Sequence, residues 1–222
     1  MKRSEINQYL REAEEFFARQ NFLLPPFARW SAEECRANLP AWPEIQGCQL
    51  GWDITDFGAD DFLKKGLLLF TIRNGRHGVP GSKPYAEKIM ISRVDQVTLL
   101  HCHITKTEDI INRGGGRLVF QFYNRAGEND LADTPVTVFG DGRPHHLPAG
   151  GKISLSPGES LTLTPGLFHA FWGEGADVMV GEVSAVNDDH NDNLFHEPQR
   201  RFPKVEEDEK PIHLLVSDYP PA

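Results

Sequence analysis

Near the N-terminus the apolar positions recur at the helical period. Ile6, Leu10, Ala13 and Phe17 fall on one face, with Glu12, Glu14, Glu15 and Arg19 elsewhere. This predicts an amphipathic helix that Ser4 can cap and that Pro25-Pro26 ends. A second helix is expected from Ser31, with Glu34 completing a capping box, and it should stop before Pro40. From Cys48 onward the period changes to two. Strands are expected over 49–54, 67–73, 88–93, 97–103, 117–123, 136–139, 153–155, 160–163 and 178–183. Between them lie Asn74-Gly75, Gly78-Val79-Pro80-Gly81, Gly114-Gly115-Gly116, Asp141-Gly142 and Ser156-Pro157-Gly158-Glu159, which is turn and loop chemistry. Many short strands without strand–helix alternation predict an all-β protein, a sandwich or barrel of the jelly-roll kind. The expected organisation is one domain, with residues 1–45 as a helical extension packed on the barrel and 46–222 as the barrel itself.

Composition narrows the partners. The 222 residues are 39% hydrophobic and 25% charged, enough for a sizeable core without disulfide staples. A net charge of -9 with no basic patch argues against wrapping a nucleic acid. The first residues carry mixed charge rather than an apolar signal segment, and no apolar run approaches the ~20 residues that span a bilayer. Cys35, Cys48 and Cys102 are odd in number and scattered, which fits a reducing compartment. A cytoplasmic protein without membrane or nucleic-acid partners is expected.

The candidate chemistry begins at His101-Cys102-His103-Ile104-Thr105-Lys106-Thr107-Glu108. Side chains alternate along a strand, so His101 and His103 share a face while Cys102 points into the core. Two imidazoles with a carboxylate close behind supply three ligands of a divalent metal, and His169 in Pro165-Gly166-Leu167-Phe168-His169 offers a fourth. Such a set suits Mn²⁺ or Fe²⁺ and also Zn²⁺, Co²⁺ or Ni²⁺. The pair His145-His146 is expected on an exposed loop. His77, His190, His196 and His213 have no partner at ligand spacing, although His190 and His196 are candidate substrate contacts.

The pattern His-x-His-x4-Glu-x6-Gly, followed by Pro-Gly-x-x-His, resembles the two motifs of the cupins. Two departures are Asp95, where a glycine is usual, and Gly173, where an asparagine is usual; neither is a ligand position. The longer stretch His101–Gly116, with Asn187-Asp188-Asp189-x-x-Asp192-Asn193, Arg201-Phe202-Pro203-x-x-Glu206-Glu207-Asp208-Glu209 and Gly51-Trp52-Asp53-Ile54-Thr55-Asp56-Phe57-Gly58, is similar to the D-lyxose ketol-isomerase family over nearly the whole chain. The resemblance implies a cupin-type jelly-roll barrel with a helical N-terminal extension, usually a homodimer. It also implies a metal-dependent isomerase, with Mn²⁺ the usual activator, that interconverts D-lyxose and D-xylulose and, more weakly, D-mannose and D-fructose.

The chemistry of such a reaction assigns further roles. Moving a hydrogen between C1 and C2 needs a base for the C2 proton and a cation for the developing oxyanion. Glu206 is the expected base, on the expectation that the C-terminal segment closes over the barrel mouth. Lys106 is the expected cationic catalytic group; Lys88, Asp192 and Arg201 are expected to bind the sugar. The Gly114–Gly116 run lacks the following helix and lysine of a phosphate loop and is expected to be a tight turn. Two other classes fit the same ligands: a cupin dioxygenase with Fe²⁺, and a non-catalytic sugar-binding cupin. The polar residues flanking the site favour a polyol over an apolar dioxygenase substrate, and the intact ligand quartet argues against mere binding.

Overall fold

The computed structural model describes residues 1–189 and 191–220. His190, a candidate substrate contact in the sequence, lies outside the described residues. Helices α1 (Arg3–Arg19), α2 (Ala32–Asn38) and α3 (Pro43–Gly47) precede the strands. These are β1 (Gly51–Thr55), β2 (Leu67–Arg73), β3 (Tyr85–Ser92), β4 (Thr98–His103), β5 (Glu108–Ala126), β6 (Asp130–Ala132), β7 (Val136–Gly140), β8 (Arg143–Leu147), β9 (Lys152–Leu155), β10 (Ser160–Leu163), β11 (Leu167–Ala185) and β12 (Asn193–Phe195). They form one antiparallel sheet in the order β1-β2-β3-β11-β5-β10-β7-β8, with β4 beside β11, β12 beside β4, and β6 and β9 beside β5. The strands wrap around an apolar interior as a cupin-type jelly roll.

Alternation divides the apolar residues of the sheet between two clusters. Leu69, Met90, Ile110, Val178 and Val180 point into the barrel with Leu118, Phe120, Phe122 and Phe171. Their neighbours Leu68, Phe70, Ile89, Ile91 and Met179 point outward and are covered by Ile6, Leu10, Ala13 and Phe17 of α1. The run Leu67-Leu68-Leu69-Phe70 is apolar on both faces because both faces are buried. Phe17 is 1% exposed, and truncating such a residue costs about 3–5 kcal/mol. Ser31 caps α2 as expected: its Oγ accepts from Glu34 N at 3.1 Å, and its own N–H donates to Glu34 Oε2 at 2.8 Å.

Several expectations are corrected. Helix α1 starts one residue before Ser4, whose N–H and Oγ donate to Asp208 at 2.9 and 2.7 Å instead of capping. The Gly114–Gly116 run is no turn but an irregularity within β5, where its register against β11 shifts. A Cβ on Gly115 would lie 2.0 Å from the Asp177 carbonyl oxygen, so the glycines permit close approach of two backbones. His145 and His146 belong to β8, which pairs with β7; its Pro144 is tolerated because β8 is the sheet's edge.

Asp95 adopts φ 57°, the left-handed conformation a glycine there would supply. Gly173 has the opposite reason: a Cβ would sit 2.7 Å from the Ser92 carbonyl oxygen, so asparagine does not fit.

The C-terminal segment does not lie wholly over the barrel mouth. Beyond Lys204 it docks on α1. Arg3 N donates to the Glu206 carbonyl oxygen at 2.8 Å and Glu206 N to the Met1 carbonyl oxygen at 2.9 Å. The Arg3 guanidinium is buried between Glu207 and Asp218, with Nη2–Oε1 at 2.6 Å and Nη1–Oδ2 at 2.9 Å. No described helix is long and apolar enough to cross a membrane.

Candidate active site

Register assembles the site. In β4 against β11, His101 is the direct partner of His169, so two motifs far apart in sequence meet at one ladder position. His103 lies two residues along on the same face of β4. One nitrogen from each of these three rings lies within 4.8 Å of the others. Glu108 Oε1 approaches His103 Nε2 at 3.1 Å and His169 Nε2 at 3.4 Å. The outer nitrogens are held from behind. His101 Nδ1 donates to the Leu99 carbonyl at 2.7 Å and His169 Nδ1 to the Leu167 carbonyl at 3.1 Å. A carbonyl can only accept, so each neutral ring presents a bare Nε2 to the cavity.

The electrostatics agree with cation binding. Burial, with neighbouring His169 and His103, holds His101 well below the usual histidine range, and burial brings His169 to about 4. Both rings are therefore neutral, as metal ligands must be. Burial opposes the charge on Glu108, but His103 and Lys106 outweigh it and keep the carboxyl well below its ordinary value. His169 Nε2 is buried without a hydrogen-bond partner among the described residues. Three imidazoles and one carboxylate turned toward one another fit a divalent cation.

Beside this set lies a second carboxylate that the sequence reading did not assign. Glu182 is the ladder partner of Lys88 across β11 and β3, and its Oε1 accepts from Lys106 Nζ at 2.9 Å with Lys88 Nζ at 3.4 Å. Lys106 Nζ also meets Glu108 Oε2 at 2.8 Å. Each of these four side chains is at most 5% exposed. Desolvation raises Glu182, but Lys106 and then Lys88 outweigh it, so its pKa lies below the ordinary carboxylate value. Desolvation likewise opposes the ammonium of Lys106, and Glu108 and Glu182 more than offset it. The signal was available in the sequence: Val178, Val180 and Glu182 share one strand parity, so the carboxylate follows two core-facing valines into the barrel.

The cavity wall is completed by Thr55, Phe57, Thr98, Asp189, Phe195 and Arg201. Arg201 Nη2 donates to Asp53 Oδ2 at 2.6 Å and faces Asp189 Oδ2 at 3.3 Å, while its Nη1 is buried without a partner among the described residues. Thr98 Oγ1 is likewise unpartnered.

The sequence-selected residues thus divide. His101, His103, Glu108, His169, Lys88, Lys106 and Arg201 all line one cavity. Glu206 does not: it is exposed in a groove with Met1, Lys2, Glu5 and Tyr9, because its backbone pairs with the chain's first residues. Asp192 is turned behind the wall. Its Oδ1 accepts from Thr105 N and Oγ1, both at 2.7 Å, and its Oδ2 from Lys106 N at 3.2 Å while lying 3.6 Å from His103 Nδ1. It braces the loop between the histidines and Glu108. Cys102 is fully buried on the opposite face of β4, and burial pushes its thiol up to about 11.

The D-lyxose isomerase family model matches residues 1–219. A D-lyxose/D-mannose isomerase of Serratia proteamaculans is 51% identical over 99% of this chain and 98% of its own length, and one of Escherichia coli is 47% identical over the same shares. Among solved structures, a variant L-ribose isomerase of Acinetobacter sp. in complex with L-ribose aligns with a TM-score of 0.61 at 16% identity, covering 90% of this chain and 94% of that one. The L-ribose isomerase of Geodermatophilus obscurus gives 0.58 at 14% identity, covering 93% and 98%. These structural likenesses speak for the fold alone. Sequence over the full length and the assembled cavity together place the chain in the D-lyxose isomerase family, a family of sugar aldose–ketose isomerases.

Proposed function

We propose that this protein interconverts D-lyxose and D-xylulose, and D-mannose and D-fructose more weakly, with Glu182 as the group that carries the proton between C2 and C1. The observation that bears most weight is the Glu182 carboxylate, buried, held by Lys88 and Lys106, and next to the His101–His103–Glu108–His169 set. The relatives' names support the choice of sugars.

An isomerase base must be ionised at the start of the reaction and must recover its proton for delivery. The two ammonium groups keep Glu182 ionised despite its burial. Oε1 is committed to the lysines, which leaves Oε2 for the substrate. Lys88, whose ammonium keeps a donor beyond those given to Glu182 and Asn187, can donate to the sugar oxygen that gains charge as the enediol forms, and being fixed in advance it needs no reorganisation. Lys106 spends its donors on Glu108, Glu182 and Asn187 and holds the base in place. A divalent cation held by His101, His103, Glu108 and His169 would supply Lewis-acid stabilisation of sugar oxygens. Arg201 Nη1 and Thr98 Oγ1 offer hydrogen bonds to hydroxyls farther along the chain of the sugar. Phe57, Phe171 and Phe195 give the apolar faces against which a monosaccharide's C–H groups pack and from which water is excluded.

Mn²⁺ as the working cation and a homodimeric assembly belong to the same reading and rest on family resemblance; a cytoplasmic location belongs to it too and rests on the scattered cysteines Cys35, Cys48 and Cys102. The test is turnover of an aldose panel by Mn²⁺-reconstituted protein. Conversion of D-lyxose to D-xylulose is expected, and inactivity toward every pentose and hexose would overturn the reading.

A further inference from the structure

Two asparagines outside the proton-transfer apparatus are joined in a way that bears on it. Asn187 Oδ1 accepts from Lys88 Nζ at 2.5 Å and from Lys106 Nζ at 3.3 Å. The other end of the same amide donates to the Asp189 carboxylate, which in turn faces Arg201. One planar group therefore ties the two ammonium ions at Glu182 to the arginine on the far wall. Asn187 sits just beyond β11, where no ladder partner fixes it. Asn74, just beyond β2 and 4% exposed, takes that role.

The Asn74 side chain grips the backbone of Asn187 from both sides. Its Oδ1 accepts from Asn187 N at 3.0 Å, and its Nδ2 donates to the Asn187 carbonyl at 3.0 Å. The remaining capacity of the amide is spent on Gly75 N at 2.9 Å and the Cys48 carbonyl at 3.3 Å. A side-chain amide with every donor and acceptor engaged has one orientation only. We infer that Asn74 and Asn187 form a positioning clamp that sets Lys88 and Lys106 against Glu182, with Asn74 acting solely through Asn187. This rests on the proposed role of Glu182 and its lysines and extends it to two residues that need not touch the sugar for the clamp to work.

The physical case is geometric. Each lysine has a long flexible stem, and an ammonium shared between carboxylates has several arrangements of similar energy. An acceptor fixed between the two removes that freedom. Misplacing catalytic groups by about 1 Å can cost on the order of 10²-fold in rate.

A double-mutant cycle tests this. Wild type, Asn74→Ala, Asn187→Ala and the double variant are assayed with D-lyxose and Mn²⁺, with thermal melts to establish folding. Each single change is expected to lower kcat by about 10–100-fold with little change in KM. The double variant should be no slower than Asn187→Ala, because the same coupling is lost once. Losses that multiply, or single variants with wild-type kcat, would overturn the clamp. Should Asn74→Ala not fold, Asn74→Asp keeps the acceptor for the Gly75 and Asn187 N–H groups and should lose kcat less than Asn187→Ala does. A crystal structure of a folded Asn74 variant is the activity-independent arm. Asn187 Oδ1 is expected to leave the two ammonium groups, and an unchanged position would refute the clamp even if wild type turns over no sugar. That last result would by itself count against the isomerase reading alone.

Discussion

Two arginines, Arg3 and Arg201, are each set between two carboxylates, yet they do different things. Arg3, at the start of α1, spends Nε, Nη1 and Nη2 on Glu207 and Asp218 at 2.6–2.9 Å. Arg201, in the barrel mouth, spends Nη2 on Asp53 and Asp189 and leaves Nη1 buried and without a partner among the described residues. An unpaired buried donor costs about 1–3 kcal/mol unless something accepts from it. The first arrangement is closed and holds the C-terminal segment on the helix. The second keeps one donor free in a residue that lines the cavity. The same contrast separates the acidic run around Glu206, which binds α1, from Glu182, whose Oε1 meets the two lysines of the site.

The comparison can be broken at its strongest point first. Chelation of the cation is expected to abolish turnover and leave the Arg3 latch intact, as measured by activity and thermal melting before and after EDTA. Glu182→Gln should lower kcat by about 10²–10⁴-fold while Mn²⁺ affinity, read by titration, stays near wild type. A fully active variant would return the base to another carboxylate.

Arg201→Met probes both function and stability. Loss of the open donor should raise KM for D-lyxose, and stranding Asp53 and Asp189 should cost about 3–5 kcal/mol. The pH dependence has a definite sign. Burial already holds Asp53 above the usual carboxylate range, whereas Arg201 holds Asp189 well below it. A depressed carboxylate stabilises the fold above its ordinary pKa, and the variant forfeits that contribution. A raised one stabilises only while protonated, and that is lost as pH rises through its folded-state value. Denaturant midpoints should therefore show a larger deficit at pH 7 than at pH 5, and a deficit that grows toward acid would contradict the network. Arg3→Met is the smallest effect and the control. Its carboxylate partners reach solvent when released, so about 1–3 kcal/mol of stability should go while kcat and KM stay unchanged in the folded protein.

Much of this was legible in the chain. His101, His103 and Glu108 lie within one stretch, and period-two alternation alone puts the two histidines on one face. Lys88 shares strand parity with the core-facing Met90 and Glu182 with Val180, so their inward direction follows from the pattern as well. Local pattern says which way a side chain points but not what it meets. The register that sets Glu182 opposite Lys88 and His169 opposite His101 joins strands distant in sequence. The pair Arg201–Asp53 spans 148 positions. Glu206 shows the limit most clearly. Its segment carries charge that suits a barrel mouth or a helix N-terminus equally. The choice fell to backbone hydrogen bonds with Met1 and Arg3 and to the closed guanidinium beneath them. The sequence alone determined the strand alternation, the spacing of His101, His103 and Glu108 and the family, because each is written along the chain itself. Only the tertiary structure decided which carboxylate sits beside the lysines, because that depends on which strands pair and which ends of the chain find each other.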